Sequence, residues 1–271
     1  MTAQSRLDAA DATLTVGVLA LQGGFAEHIL LLRRAIEIIG PSFTVRVIEV
    51  RSPPELAQCD ALVIPGGEST AISFVAAQSG LLEPLRQFVK VDKKPTWGTC
   101  AGLILLSEHV NATKKGGQEL IGGLEVRVHR NHFGRQIESF ETDLDLPFLA
   151  GDDDDSAPKP FPGVFIRAPV VEEVLPGAAV TVLAKLPRRE KAGKTDDIIA
   201  VRQGNAFGTS FHPELTTDAR IHVWWLLNVG LAPLKAASIK TDGRSLSRRG
   251  RRVPYPGTTA EDATARIRVG F

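Results

Sequence analysis

One of the two cysteines of this chain stands in a setting that is typical of a nucleophile. Cys100 lies in PTWGTCAGLILLSE, residues 95–108, with Gly98 and Gly102 two residues away on either side. In a G-x-nucleophile-x-G elbow the nucleophile occupies a sharp strand-to-helix turn, where bulkier flanking residues would clash. N–H groups of the following helix, including that of Ala101, can stabilise a thiolate and an oxyanion. The elbow alone is equally compatible with a small buried side chain in a tight turn.

A second motif supplies a base for such a nucleophile. In FGTSFHPELT, residues 207–216, Glu214 follows His212 by two positions. A thiolate nucleophile needs a proton acceptor and a group that orients this acceptor. We expect an extended His-Pro-Glu segment in which Glu214 binds one ring nitrogen and the other nitrogen faces Cys100. The alternative is a surface histidine beside a chance glutamate, but no other histidine of the six has a carboxylate at i+2.

The other histidines suggest less specific roles. His28 and His222 fall in helix-like segments, where packing or exposure is the default interpretation, and His109 is expected to close a helix that begins at Ala101. A cationic side chain at a helix C-terminus is favourable.

A glycine turn forms the third element. In VIPGGEST, residues 63–70, an apolar run ends in Pro-Gly-Gly. Glycines let backbone approach a ligand closely, so this turn can supply a second oxyanion donor, and Glu68 can hold a ligand ammonium. The alternative is an ordinary turn in which Glu68, Ser69 and Thr70 cap a helix.

Strand-like and helix-like segments alternate along the first half of the chain, which contains the glycine turn and the cysteine elbow. Apolar runs at 14–21 and 61–64 predict buried strands, and the spacing of FAEHILLLRRAIEII predicts a helix over 25–39 that Gly40-Pro41 ends. This order predicts a single α/β domain with a doubly wound, mostly parallel, flavodoxin-like sheet. Strand-rich sequence after residue 120 predicts additional antiparallel strands.

Three segments are expected to lie outside this domain, which spans 14–232. They are a flexible extension at 1–13, a solvated loop insertion at about 145–162 with four consecutive aspartates, and a basic, weakly structured tail at 233–271.

Composition argues against several classes of protein. The net charge is +1, and 43% hydrophobic and 23% charged residues are ordinary for a globular protein. No apolar run approaches the ~20 residues of a membrane span. The N-terminus lacks the apolar stretch of a signal peptide, and two cysteines form no disulfide framework. We therefore expect a cytoplasmic protein without a membrane role. For its basic tail, exposure to solvent is favoured over binding to nucleic acid.

In this order the motifs resemble those of the class I, or triad, glutamine amidotransferases. Six segments narrow the resemblance to the glutaminase subunits of pyridoxal 5′-phosphate synthase. They are LALQGGFAEH (19–28), PGGEST (65–70), GTCAGLILL (98–106), VHRNHFGRQIESFE (128–141), GVFIRAP (163–169) and SFHPELT (210–216). The resemblance runs from about Leu14 to Leu231 and excludes the aspartate-rich insertion.

This resemblance implies hydrolysis of L-glutamine to L-glutamate and ammonia through a thioester on Cys100. His212 would move protons, and Glu214 would orient it. The implied glutamine-binding residues are Gly67, Glu68, Ser69, Arg130, Ile166 and Arg167. The implied oxyanion hole consists of Gly66, Gly67 and Ala101. Whether Arg130 or Arg167 meets the substrate carboxylate stays open.

The resemblance also implies a partner, a separate (β/α)₈ synthase subunit in a large hetero-oligomer that uses the ammonia to build pyridoxal 5′-phosphate. Gln22, Glu27 and His28 resemble part of the docking surface. The glutaminase would be nearly silent until docked, because the peptide near Gly66 and Gly67 must reorient. No metal or bound cofactor is implied. Two rival hypotheses are another cysteine hydrolase of the same fold and a non-catalytic regulator of the synthase.

Overall fold

The computed structural model describes residues 13–111, 118–130, 139–150, 159–187 and 196–230. The strands are β1 (Thr13–Leu19), β2 (Thr44–Val50), β3 (Ala61–Ile64), β4 (Thr96–Thr99), β5 (Ser107–Asn111), β6 (Leu124–His129), β7 (Phe140–Leu144), β8 (Phe161–Phe165), β9 (Val170–Val174), β10 (Thr181–Leu186), β11 (Asp197–Gln203) and β12 (Ala206–Thr209). The helices are α1 (Phe25–Ile39), α2 (Pro53–Leu56), α3 (Ser69–Gln78), α4 (Leu82–Arg86), α5 (Ala101–Leu106) and α6 (Arg220–Trp225). One π-helical turn, Gln87–Val91, follows α4, and another, Leu226–Gly230, follows α6.

Ten strands form one mixed sheet, with the order β2-β1-β3-β4-β12-β11-β9-β6-β5 and β10 on β11. Its first five strands are parallel, and the order reverses beside β1, as in flavodoxin-like sheets. Strands β9, β10 and β12 pair with β11 antiparallel, and β7 and β8 form a separate antiparallel pair. The predicted fold class is thereby confirmed.

Two apolar clusters cover the two faces of the parallel part. Alternating residues of β3 divide between them, because successive side chains of a strand point to opposite faces. Ala61 and Val63 pack with α1, while Leu62 and Ile64 pack with α3 and α5. Helix α1 ends where predicted, at Gly40, whose φ of 55° is the left-handed conformation that glycine adopts readily.

The predicted helix from Ala101 to His109 is too long. Helix α5 ends at Leu106, and His109 lies in strand β5, paired with Arg127 of β6. The helical interpretation of His109 is therefore wrong. Pairing with β6 determines the conformation of this polar segment, since tertiary contacts routinely override local propensity.

Some residues that were expected to lie outside the domain belong to its strands or its core. Thr13 already belongs to β1. The insertion expected at about 145–162 begins and ends in ordered structure, because Leu146 and Phe161 are buried in the core. Residues 1–12, 151–158 and 231–271 lie outside the described part of the chain, so the expectations for those segments stay predictions. Among the described residues, no helix has the length and hydropathy of a membrane span.

Candidate functional site

Cys100 occupies a strained turn between β4 and α5. Its φ of 45° and ψ of −98° lie in a region that non-glycine residues rarely adopt. A side chain at Gly98 would lie 2.4 Å from the carbonyl carbon of Gly102, and one at Gly102 would lie 2.1 Å from the Ile64 oxygen. Only glycines fit both positions, and the predicted elbow geometry is present.

The neighbouring strand brings His212 to this elbow. Strand β12 runs parallel to β4 and pairs Thr209 with Thr99, and the N–H of Cys100 donates to the Thr209 carbonyl over 2.8 Å. The chain reaches His212 three residues later, where its N–H donates to the Val164 carbonyl at the end of β8. Two strands distant in sequence therefore place the sulfur and the imidazole at one edge of the sheet.

Glu214 holds the imidazole of His212. The distance from His212 Nδ1 to Glu214 Oε1 is 2.8 Å, and both side chains are almost fully buried. The predicted extended segment is wrong, because Pro213–Leu215 forms a 3₁₀ turn. This turn still brings the two side chains together, as the motif required.

The charge of Cys100 and the carboxylate of Glu214 act together on His212. Burial opposes protonation of the imidazole, but the neighbouring Cys100 and the carboxylate of Glu214 outweigh this effect. The pKa of His212 is therefore raised well above its usual value. An imidazole in this environment can hold a proton beside a thiolate and later transfer it.

A second histidine contacts the other oxygen of Glu214. His28 Nε2 lies 3.3 Å from Glu214 Oε2 and 3.1 Å from Thr99 Oγ1, while His28 Nδ1 lies 3.0 Å from His222 Nε2. From the sequence, both histidines were expected to pack in helices or face solvent, and the family resemblance placed His28 on a docking surface. The available signal was that His28 lies four and seven residues before Leu32 and Ala35, on the buried face of α1. A polar ring on such a stripe requires a buried partner.

Burial and the two histidines compete over the ionisation of Glu214. Burial raises the pKa of the carboxyl, but the neighbouring His28 and His212 lower it far below its usual value. Glu214 therefore stays ionised in its buried position. Burial and the neighbouring His28 also hold the pKa of His222 well below its usual value.

The glycine turn packs directly on this pair. A side chain at Gly66 would lie 2.4 Å from Cε1 of His212 and 2.8 Å from Oε1 of Glu214. The Gly66 carbonyl accepts from the N–H of Gly24 over 3.0 Å, which ties the turn to the start of α1. Absence of a side chain at Gly66 is therefore a condition for the triad geometry.

Gln22 and Arg130 meet at Glu68, beside the glycine turn. The N–H of Glu68 donates to Gln22 Oε1 over 2.8 Å. The Glu68 carboxylate caps α3 by accepting from the N–H groups of Thr70 and Ala71, as the alternative interpretation predicted. Arg130 Nη2 lies 3.3 Å from Glu68 Oε1. The structure thus groups three of the predicted site residues, with the Glu68 carboxylate already engaged by protein donors.

Of the three predicted interface residues, His28 is misassigned. It is 0% exposed and faces the triad, so it cannot lie on a docking surface. Gln22 and Glu27 are exposed. Gln22 contacts the glycine turn, and Glu27 lies in the first turn of α1.

The remaining predicted residues lie nearby. Ile166 and Arg167 follow β8, whose Val164 carbonyl binds the His212 N–H; Ile166 is 38% exposed, and Arg167 has a φ of 47°. Ser69 donates from Oγ to Gln118 Oε1 over 3.0 Å. Gln118, which sequence reasoning missed, therefore contacts the glutamine-binding segment implied by the resemblance.

Both cysteines are buried, but only Cys100 has the strained backbone of an elbow. Cys59 is buried among apolar side chains, and burial raises its pKa to about 12. Its Sγ contacts the Glu55 carbonyl at 3.3 Å. Within the described ranges, no cluster of three His, Cys, Asp or Glu residues has the arrangement of a metal site.

The parallel sheet and its strained cysteine, with a His–Glu pair carried by the next strand, define a triad-type cysteine enzyme of the doubly wound α/β class. The chain belongs to the SNO glutamine amidotransferase family, whose model matches residues 18–230.

Curated relatives agree with this assignment. The chain is 49% identical over 210 residues to the pyridoxal 5′-phosphate synthase subunit PdxT of Streptomyces avermitilis, covering 78% of this chain and 91% of the relative. It is 44% identical over 229 residues to the probable pyridoxal 5′-phosphate synthase subunit PDX2 of Arabidopsis thaliana, covering 79% and 85%. A crystal structure titled glutamine amidotransferase matches with 40% identity and a TM-score of 0.62, covering 79% of this chain and 98% of that one.

Proposed function

We propose that this protein hydrolyses L-glutamine to L-glutamate and ammonia through a thioester on Cys100 and delivers the ammonia to a pyridoxal 5′-phosphate synthase subunit. The observation that carries the proposal is the His212–Glu214 pair at 2.8 Å, which follows the strand paired with β4 and its strained Cys100 elbow. Membership of a glutamine amidotransferase family supports the choice of glutamine as the amide.

The reaction follows from the properties of these three side chains. The Cys100 sulfur attacks the γ-amide carbon of glutamine, and His212 holds the thiol proton. Collapse of the tetrahedral intermediate breaks the C–N bond, with the proton passing from His212 to the leaving ammonia. A water molecule, deprotonated by His212, then attacks the thioester and releases glutamate and the free thiol. N–H groups of Gly66, Gly67 and Ala101 are proposed to hold the oxyanion in both steps.

Substrate binding is assigned to the group around Glu68 and to the segment after β8. The α-carboxylate of glutamine needs a cation, and its ammonium needs a carboxylate or carbonyl groups. Arg130 and Arg167 are the candidate cations, and Glu68 is the candidate anion. The residues proposed to bind glutamine are Gly67, Glu68, Ser69, Arg130, Ile166 and Arg167. Because Arg130 pairs with Glu68 at 3.3 Å, a bound glutamine would compete for both charges.

The names of the relatives support the partner. Two of them are pyridoxal 5′-phosphate synthase subunits by name, so we propose a hetero-oligomer with a (β/α)₈ synthase subunit in the cytoplasm. Gln22 and Glu27 are exposed beside the glycine turn. Contact at Gln22 would reach the oxyanion segment directly, because this side chain already binds the N–H of Glu68. Docking would therefore raise the hydrolysis rate.

The decisive experiment measures glutamate release by the wild type and by Cys100→Ala, each with and without the synthase subunit. We expect weak release by the isolated wild type, strong release with the partner and none from Cys100→Ala. Cys59→Ala is the matched control and should behave as the wild type. Equal rates with and without partner would contradict activation by docking.

The rival functions give different results. Cleavage of another amide without ammonia release from glutamine would favour a different hydrolase. Glutamine-dependent pyridoxal 5′-phosphate formation that survives Cys100→Ala would favour a non-catalytic regulator.

A further inference from the structure

We propose that His28 is a positioning residue for the triad, one that holds the outer oxygen of Glu214 so that the inner oxygen stays on His212. This inference rests on the proposed function for the reaction it serves. It extends the Cys100–His212–Glu214 arrangement by one member from α1, outside the motifs that carry the nucleophile and base.

The two oxygens of Glu214 have different environments. Oε1 binds His212 Nδ1 at 2.8 Å, and Oε2 lies 3.3 Å from His28 Nε2. Oε2 is buried and has no aligned hydrogen bond within the part of the chain that the structure describes. A buried carboxylate oxygen without a donor is costly, so the His28 contact is the interaction that compensates this atom. Removing it would allow the carboxylate to rotate away from His212.

His222 fixes which nitrogen of His28 carries the proton. Its Nε2 lies 3.0 Å from His28 Nδ1, and its own Nδ1 is buried with no hydrogen-bond partner among the described residues. A buried N–H donor without an acceptor is a greater cost than an unused lone pair. We therefore assign the His222 proton to Nε2, from which it donates to His28 Nδ1. The His28 proton is then on Nε2, between Thr99 Oγ1 at 3.1 Å and Glu214 Oε2 at 3.3 Å.

The surrounding structure holds His28 rigidly. Its Nε2 also lies 3.1 Å from Oγ1 of Thr99, the residue immediately before Cys100. The rings of His28 and His222 pack edge-on against Trp97, with centroids 5.4 and 4.8 Å away. Neither histidine is exposed to solvent. His28 therefore links the strand that carries the nucleophile to the carboxylate that orients the base.

Two substitutions of His28 separate its two nitrogens. In His28→Gln the side-chain amide nitrogen takes the place of Nε2 and keeps a donor toward Glu214, whereas in His28→Asn it takes the place of Nδ1 and removes this donor. With synthase present, we expect His28→Asn to lower kcat by roughly 10- to 100-fold with KM unchanged, since small misplacements of catalytic groups cost this much. His28→Gln should retain kcat within about threefold. Leu32→Ala, one turn along α1, is the control for lost packing and should retain kcat.

The pH profile gives a readout that a purely structural role would not move. The titratable groups that face Glu214 are His28 and His212, with His222 behind the first and Cys100 behind the second. Burial raises the pKa of Glu214 and the two facing histidines lower it, so loss of His28 raises it. The acid limb of kcat should then move to higher pH in His28→Asn but not in His28→Gln. An unmoved acid limb, or equal losses in both variants that follow their unfolding temperatures, would overturn the proposal.

Two further measurements separate this inference from the proposed function. The rate at which iodoacetamide alkylates Cys100 measures how far the sulfur is ionised beside His212, and this measurement needs no glutamine. Its pH midpoint should rise in His28→Asn and stay in His28→Gln, even if the wild type releases no glutamate. Should His28→Asn fail to fold, ¹⁵N spectra of the wild-type histidines decide the question. A proton on Nε2 of His28 supports the proposal, and a ring protonated only on Nδ1 overturns it.

Discussion

Gly66→Ala tests whether the glycine turn sets the geometry of the triad. The backbone at Gly66 does not adopt a positive φ, so alanine brings no backbone strain. Its methyl group would instead meet Cε1 of His212 at 2.4 Å and Nδ1 at 2.5 Å. Because ordinary van der Waals contact begins at 3.4 Å, either the ring or the turn must move by about 1 Å.

A displacement of this size has a definite kinetic consequence. Misplacing a catalytic group by about 1 Å costs on the order of 100-fold in rate, or about 2.7 kcal/mol of activation free energy. The loss should appear in kcat, because the methyl group contacts the base and its carboxylate. Thermal unfolding should change little by comparison.

The assay is glutamate release at saturating glutamine with the synthase subunit present. Gly230→Ala is the matched control, because its methyl group would meet its nearest neighbour at 3.5 Å. We expect kcat of Gly230→Ala to equal that of the wild type. Wild-type kcat in Gly66→Ala would refute the reasoning, since the triad would then tolerate a contact that the geometry forbids.

Three further predictions concern stability and thiol chemistry. The lowered pKa of Glu214 stabilises the folded state at pH values above its usual value of 4.5. This contribution is lost progressively as the pH falls from 4.5 toward the pKa of the folded state, so the difference in unfolding free energy between wild type and Glu214→Gln in urea should shrink over this range. Because the pKa of Cys59 is raised to about 12, iodoacetamide should add one group to the native protein, at Cys100, and a second by mass spectrometry only after denaturation. Gly102→Ala should lower the unfolding free energy by about 3 kcal/mol, because its methyl group would lie 2.1 Å from the Ile64 carbonyl oxygen; a smaller change than about 1 kcal/mol would contradict the close approach.

Local patterns carried the parts of the site that sequence could predict. The elbow needs glycines two residues on either side of Cys100, and this spacing is visible in the chain. His212 and Glu214 are near neighbours in sequence, so their contact required only the right turn. Even there the predicted extended segment was wrong, since Pro213–Leu215 folds into a 3₁₀ turn that reaches the same contact.

Contacts between distant segments were beyond the sequence. His28 lies on the buried stripe of α1, but nothing in its surroundings along the chain identifies Glu214 as its partner. Strand β5, SEHVN, contains a single β-branched apolar residue, and only its pairing with β6 makes it a strand. In both cases the determining interaction is tertiary, so periodicity alone could not provide it.

Because β4 and β12 are neighbours in the sheet, the distance between the nucleophile and the base does not depend on the length of chain between them. Thr99 and Thr209 are paired in the sheet, so the nucleophile and the base keep their spacing whatever lies between them. The chain from 107 to 203 departs from this pair and returns to it, and it forms strands β5 to β11 on the way. Changes in the length of the loops between these strands leave the β4–β12 register untouched. Loops of this half of the molecule can therefore change in length, for new partners or regulation, as long as Val164 and the residues proposed to bind glutamine keep their places.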